Sequence, residues 1–250
     1  MGLYRTEAIV VRSRKYSEAD SILTLITHKK GKVSAIAKGV KKQNSRLRGG
    51  VQLFTYNDML LYEGRNLDIV TQSQCLEAFT ALQYDARTMT AACYWCELLD
   101  SFIPEREKDV ELFVLALAGF HFLVFEHDEI AVRALEIKLL SRLGYMPYMD
   151  RCISCGQSLQ VEKKISFSAR MGGVLCAKCS DGEKLSFSFE VLRIWQQLED
   201  MNLSKMNRLR ISSEGLQLLD KALERFLLIQ LGYPLKSRPL LKEMWQVMKD

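Results

Sequence analysis

Four cysteines constrain this chain more than any other feature. Cys152, Cys155, Cys176 and Cys179 read C-x2-C, 20 intervening residues, then C-x2-C. That is the spacing of a closed tetrahedral zinc site, in which each short turn aims two thiolates at one ion and the loop only has to return the second pair. Small residues around the ligands (Ser154, Gly156, Gly172, Gly173, Ala177) permit such turns. The expectation is one structural Zn2+ per chain. A catalytic zinc would keep an open position and a nearby Glu, and no H-E-x-x-H occurs. Seven cysteines cannot form a complete disulfide framework, so metal ligation plus buried thiols in a reducing cytosol fits better. Cys93 and Cys96 form a third C-x-x-C, but they lie in a helical pattern without a second pair. They read as buried thiols, and Cys75 as a strand-core residue.

Charge is uneven along the 250 residues. The net charge is +5, yet residues 1–50 hold 12 Lys/Arg against 3 Asp/Glu, and residues 81–150 hold 6 against 12. Residues 151–250 return to 16 against 11. Such asymmetry points to a polyanion at one end of the molecule.

From residue 4 to about 80 the pattern alternates as half-buried strands do. Ala8–Val11, Ser21–Thr27, Lys32–Lys38, Phe54–Glu63 and Leu67–Leu76 are short strands with no helix among them, which predicts a small closed barrel. After Ala78 the period becomes helical, over Thr90–Phe102, Val110–Glu126 and Ile130–Leu143, the last ended by Gly144 and Pro147. Beyond the cysteine segment, helices are expected at Phe187–Leu198, Glu214–Leu231 and Leu240–Met248. The division is therefore 1–80 (barrel), 81–150 (helical, first part), 151–182 (zinc knuckle) and 183–250 (helical, second part), an α+β chain. No secretory h-region opens it, and the apolar run Leu112–Phe125 is too short to span a bilayer.

Arg12, Arg14, Lys15, Lys29, Lys30, Lys32, Lys38, Lys41, Lys42, Arg46 and Arg48 fall in turns and strand ends of that barrel, opposed only by Glu18 and Asp20. A single lysine is ordinarily a solvated surface group, but eleven cations in 37 residues exceed what solubility needs. Tyr4, Tyr16, Phe54, Tyr56 and Tyr62 intersperse rings, some of which fill the barrel and some of which can stack on bases. Cations with exposed rings grip single strands without reading sequence. Arg46 and Arg48 flank Leu47 and should project to one side of an extended loop. His28 sits in a basic turn within reach of a phosphate, and His121 reads as a core histidine; His127 has no assigned role. No Walker loop, dinucleotide fingerprint or nucleophile–histidine arrangement is visible, so no enzyme and no small-molecule substrate is expected. The alternatives are a zinc-ribbon transcription regulator and a zinc-dependent nucleic-acid enzyme.

The opening Tyr4–Val11, the Glu18-Ala19-Asp20 turn, Gly31–Gly39, Ser45–Gly50 and Leu143–Pro147 followed by the cysteine quartet closely resemble the RecO family of bacterial repair and recombination mediators, in the same order over essentially the whole chain. The resemblance implies an N-terminal five-stranded oligonucleotide/oligosaccharide-binding (OB-fold) barrel and a helical domain with an inserted zinc-binding segment. It implies binding of single- and double-stranded DNA, strand annealing, and joint work with RecR to load RecA on strands coated by single-strand-binding protein (SSB). It also implies a grip on the acidic, apolar C-terminal tail of SSB through the helical part, with Lys221 and Arg225 as candidates. A cytoplasmic, nucleoid-associated location follows from the same resemblance. Some relatives lack the four cysteines, which fits a structural metal.

Overall fold

Parity along the first strand decides where its charges point. In a computed structural model, which describes residues 2–126, 128–159, 165–180, 182, 185–203, 205 and 209–246, β1 runs Leu3–Lys15. Its even positions Ala8 and Val10 face inward with Leu23 and Leu25 of β2 (Ser21–Thr27) and Val33, Ala35 and Ala37 of β3 (Gly31–Ala37). A β-bulge between Val10 and Arg12 then shifts the register. Arg12 and Arg14 pair with Thr24 and Ile22, on the outer face, where unbroken alternation would have sent them into the core.

β4 (Thr55–Tyr62) and β5 (Asp68–Ala78) complete a closed barrel in the order β1-β2-β3-β5-β4, the OB arrangement. The β3–β5 seam is thin, with only Ala35↔Asp68 and Ile36↔Ile69 paired. Below it the segment around residues 105–107 lends its backbone, Arg106 N–H donating to the Lys32 carbonyl at 2.8 Å. Gly31, at φ +65°, meets this segment so closely that a Cβ would lie 1.9 Å from the Glu107 carbonyl oxygen. Only glycine fits there.

Two compact units emerge, Met1–His127 with Lys236–Asp250, and Asp128–Leu235. In the first, α1 (Ala86–Phe102) and α2 (Val110–Phe125) accompany the barrel. They cross where Trp95 Nε1 donates to the Ala116 carbonyl at 3.1 Å, and Gly119 has no room for a Cβ beside the indole. The last helix, α6 (Arg238–Gln246), docks on α1: Glu97 accepts from the Lys236 and Ser237 N–H groups at 2.8 Å each, and Arg238 donates to Tyr94 Oη at 2.6 Å. The second unit holds α3 (Glu129–Arg142), α4 (Phe189–Asp200) and α5 (Ser213–Leu231) with a small sheet of β6 (Ile165–Ser168), β7 (Gly173–Cys176) and β8 (Ser186–Phe187). Phe167, Phe187, Trp195 and Phe226 fill its core, and the buried Arg133 of α3 pairs with Asp220 of α5 at 2.6 Å.

Each of α1 to α5 begins on an Asp or Ser whose side chain accepts a first-turn N–H: Asp85, Asp109, Asp128, Ser188 and Ser212. Asp85 starts α1 four residues before the apolar period becomes visible. The sheet β6–β8 was not foreseen, because its strands are too short to show a period. Two side chains expected inside lie outside: Cys75 is exposed on β5, and His121 is 49% exposed, its Nε2 3.4 Å from Glu77. His121 follows the buried Phe120 but points off the face that Phe120 buries, whereas Gln74, Cys75 and Leu76 are all exposed, so this part of β5 lies off the core. His127 and Met248 lie outside the described residues, and no described helix is long and apolar enough to cross a membrane.

Candidate nucleic-acid interface and metal centre

The strand directions sort the cations of the first fifty residues into two ends and one face of the barrel. At one end, β1 finishes with Arg14 and Lys15, the turn Tyr16–Asp20 follows, and the loop after β3 carries Lys38, Lys41, Lys42, Arg46 and Arg48. All seven cations are exposed, and none makes an ion pair among the described residues. Tyr16, 63% exposed, stands among them. The loop is fastened to the turn: Lys41 N–H donates to the Ala19 carbonyl at 3.0 Å, and Gly39 N–H donates to Asp20 Oδ1 at 2.7 Å. Leu47 packs against the barrel core, which turns Arg46 and Arg48 outward. This stretch is a turn entering a 3-10 helix, Gly49–Val51, and not the extended loop that the sequence suggested; Arg48 itself is right-handed helical. Arg48 also donates to the Lys41 carbonyl at 3.2 Å.

The outer face is different. Arg12 pairs with Asp100 of α1 at 3.0 Å, and the buried Lys32 Nζ donates to the Asp100 carbonyl. That carbonyl belongs to the last turn of α1, where no intrahelical donor remains and a cation meets the negative end of the helix dipole. Both side chains therefore serve the helix.

At the opposite end Lys30 is held by Glu63 and lies over the Tyr4 ring, 4.2 Å from its centroid. Its ammonium draws the Glu63 carboxyl below the ordinary range. Tyr4 in turn donates to the buried Asp68, which Arg106 approaches at 2.9 Å; burial and that carboxylate push the phenol well above its usual value. Lys29 is exposed and borders an open cleft of about 370 Å³ with Arg5, Thr6, Glu7, His28, Asp58 and Leu76. Arg5 and Asp58 pair across it at 2.6 Å, and His28 lies edge-on to Phe113. Of the other rings singled out, Phe54 is buried, Tyr56 donates to Glu7 at 2.6 Å, and Tyr62 is 42% exposed.

One acidic group is integral to the cationic end. The Asp20 carboxyl is held below its ordinary value, first by the Gly39 N–H, with burial opposing and Ser17, Lys38 and Lys42 assisting.

The cysteine quartet assembles as its spacing demands. Cys152, Cys155, Cys176 and Cys179 bring their sulfurs within 4.8 Å of one another, with Cys155 and Cys176 3.8 Å apart. Four sulfurs each about 2.3 Å from one ion stand about 3.8 Å apart, so the set can hold a single metal. Two backbone turns make this possible: Gly156 N–H donates to the Cys152 carbonyl at 2.8 Å, and Cys179 N–H to the Cys176 carbonyl at 3.0 Å. The first turn is laced to β7 by Ile153 N–H on the Val174 carbonyl at 2.9 Å. Burial resists ionisation of Cys152, yet the N–H groups of Cys176, Cys155 and Ser154 bring its thiol down to about 6. Cys179 accepts from Ser154, which favours its thiolate, but crowding by the other thiols carries it up to about 12. Four thiolates at this distance need a cation among them. By contrast Cys96 is buried in α1 and burial raises its thiol, as for Cys93.

Comparison with known proteins gives one family throughout. The family model described as "Recombination protein O N terminal" matches residues 1–79, and "Recombination protein O C terminal" matches residues 83–239. Proteins named DNA repair protein RecO are similar over most of their length: that of Desulforamulus reducens is 34% identical over 98% of this chain and 96% of its own. That of Symbiobacterium thermophilum is 36% identical over 96% and 97%, and that of Heliobacterium modesticaldum 39% over 87% and 81%.

Proposed function

We propose that this chain, which belongs to the RecO family of DNA repair proteins, is a non-enzymatic DNA-binding recombination mediator that grips phosphates with the loop end of its barrel. The observation that carries the reading is the gathering of seven exposed cations, Arg14, Lys15, Lys38, Lys41, Lys42, Arg46 and Arg48, at one end around Tyr16. Cations spaced along a fastened loop neutralise successive phosphates and release counterions, and phosphate contact carries no base sequence. Both single and double strands are substrates for such a surface, and Tyr16 adds one stacking face for an unpaired base. Neutralising two strands at once lowers their mutual repulsion, which is what annealing requires. With RecR the chain then helps RecA displace SSB; the SSB tail is taken by α5, where Lys221 and Arg225 are exposed two turns and one turn before the exposed Leu228 and Ile229. It acts in the cytoplasm, on the nucleoid.

The metal in this reading is structural Zn2+, held by Cys152, Cys155, Cys176 and Cys179. Four thiolates close the tetrahedron and leave no position for a reacting water. When bound, the ion supplies cross-linking of the two C-x-x-C turns.

The test is binding to labelled single strands of unrelated sequence across a salt series. With about five phosphate contacts the log–log slope is about −3.5, nearly independent of sequence. Reversing Arg46 and Arg48 to Glu should abolish binding while the helices stay folded. Unchanged affinity, base-specific footprints or metal-dependent strand cleavage would each defeat the proposal.

A further inference from the structure

We infer that Asp20, a negative charge among the cations, is a positioning residue that holds the phosphate-binding loop in place. The inference rests on the DNA-binding reading above and deepens it. Electrostatics alone argues the opposite, because an acid inside a cationic patch repels phosphate. The bonding pattern outweighs that argument. Asp20 Oδ1 accepts the Gly39 N–H at 2.7 Å, and Gly39 sits at φ +64°, a left-handed corner where the loop leaves β3. From this corner Lys42 N–H returns to the Gly39 carbonyl at 3.1 Å, Ser45 N–H to the Lys42 carbonyl at 3.1 Å, and the Arg48 guanidinium to the Lys41 carbonyl at 3.2 Å. One carboxylate thus roots a chain of bonds reaching the segment that bears Lys38, Lys41, Lys42, Arg46 and Arg48. The turn that presents Asp20 is fixed too: Tyr16 N–H donates to the Asp20 carbonyl at 3.1 Å, and Asp20 N–H to Ser17 Oγ at 3.1 Å. An exposed loop of long cationic side chains loses conformational freedom when it binds, and a fastened loop has already lost part of it.

Glu18 supplies the control. It lies two residues away in the same turn, carries the same charge and is exposed, and no bond from the described residues reaches its side chain. Glu18→Ala and Asp20→Ala remove the same charge from the same patch. If charge alone matters, both bind single strands more tightly. If Asp20 positions the loop, Glu18→Ala binds about twofold tighter and Asp20→Ala about three- to tenfold weaker at equal salt. Asp20→Asn, which keeps an oxygen acceptor without the charge, should fall at or above the wild-type affinity. A second readout is trypsin cleavage after Lys41, Lys42, Arg46 and Arg48, which should quicken in Asp20→Ala at unchanged thermal midpoint and stay slow in Asp20→Asn. Asp20→Ala binding as tightly as Glu18→Ala, or cleaved no faster than wild type, overturns the inference while leaving DNA binding intact. A wild-type chain that does not bind DNA overturns the parent reading instead.

Discussion

At the scale of single residues, charges that look alike in sequence have unlike duties. Lys32 and Lys41 are nine positions apart in one basic stretch, yet Lys32 is buried with its ammonium on the Asp100 carbonyl, and Lys41 is exposed. Lys32→Ala strips the charged donor from a part-buried helix-end carbonyl, a loss of about 1–3 kcal/mol. Urea unfolding should record that loss while DNA affinity at the barrel end is unchanged; Lys41→Ala should do the reverse. Asp20 adds a pH signature. Its folded carboxyl is held low, chiefly by the Gly39 N–H, so the added strength that the charge gives this bond is present above the unfolded carboxyl value and lost as pH falls through the lower folded one, leaving a neutral oxygen acceptor. The Gly39 amide resonance should therefore stay constant through neutral pH and shift only in acid, below the usual aspartate range; Asp20→Asn should abolish that shift. These distinctions were not legible in the sequence because the deciding partners are remote: Asp100 lies 68 residues from Lys32, and Glu63 33 from Lys30.

At the scale of elements, the features that local sequence specifies were legible in it. Alternation marked all five barrel strands, the helical period marked the cores of the main helices, and two C-x-x-C turns marked the cysteine cluster that can hold a metal. Each signal lies within a few residues of the feature it specifies, as does the αL Gly144 just past α3. What escaped needed long-range contact or was too short for a period. The bulge in β1, which re-aims Arg12 and Arg14, leaves no compositional trace, nor do the four-residue strands β6 and β7. The docking of α6 on Glu97 joins residues 139 and 140 apart. Glu97→Ala removes the acceptor for three donors at the start of α6, and a cap of this kind is worth about 1–2 kcal/mol. Amide exchange in 238–246 should rise accordingly. The knuckle tests the metal. Isolated zinc fingers owe on the order of 10 kcal/mol to their ion, but here α4, α5 and the Phe167 cluster also support the unit. Chelation or Cys176→Ser should therefore speed exchange of the Ile153, Val174 and Cys179 amides without melting the helices, and metal analysis of untreated protein should find about one zinc per chain.

At the scale of the molecule, the basic first fifty residues are better described as three populations than as one patch. Arg12 and Lys32 fasten α1 to the outer face, and Lys30 closes an ionic network at one end. Seven others are left exposed at the far end. Lys29, beside Lys30, is exposed as well but stands alone at its end; only the seven together can exchange solvent counterions for several successive phosphates without first breaking a native pair. Counting all eleven cations as contacts would predict a salt slope near −8 for a single strand, and five of the exposed seven about −3.5. Neutralising two paired cations, or two of the exposed seven, separates these pictures. Arg12→Gln with Lys30→Gln should leave affinity within about twofold, because each was already committed to a carboxylate whose release adds an opposing charge. Lys41→Gln with Lys42→Gln should weaken binding and flatten the slope by about 1.4, that is 0.7 for each lost phosphate contact. The measurement is fluorescence anisotropy of a labelled oligonucleotide at several salt concentrations for the two double variants. Equal losses in both would mean that the native ion pairs open to admit DNA and that the barrel's ends are not distinct. A loss confined to the second pair fixes the phosphate path to the loop end, where the fold has left seven cations uncommitted while Arg12, Lys30 and Lys32 help to hold it together.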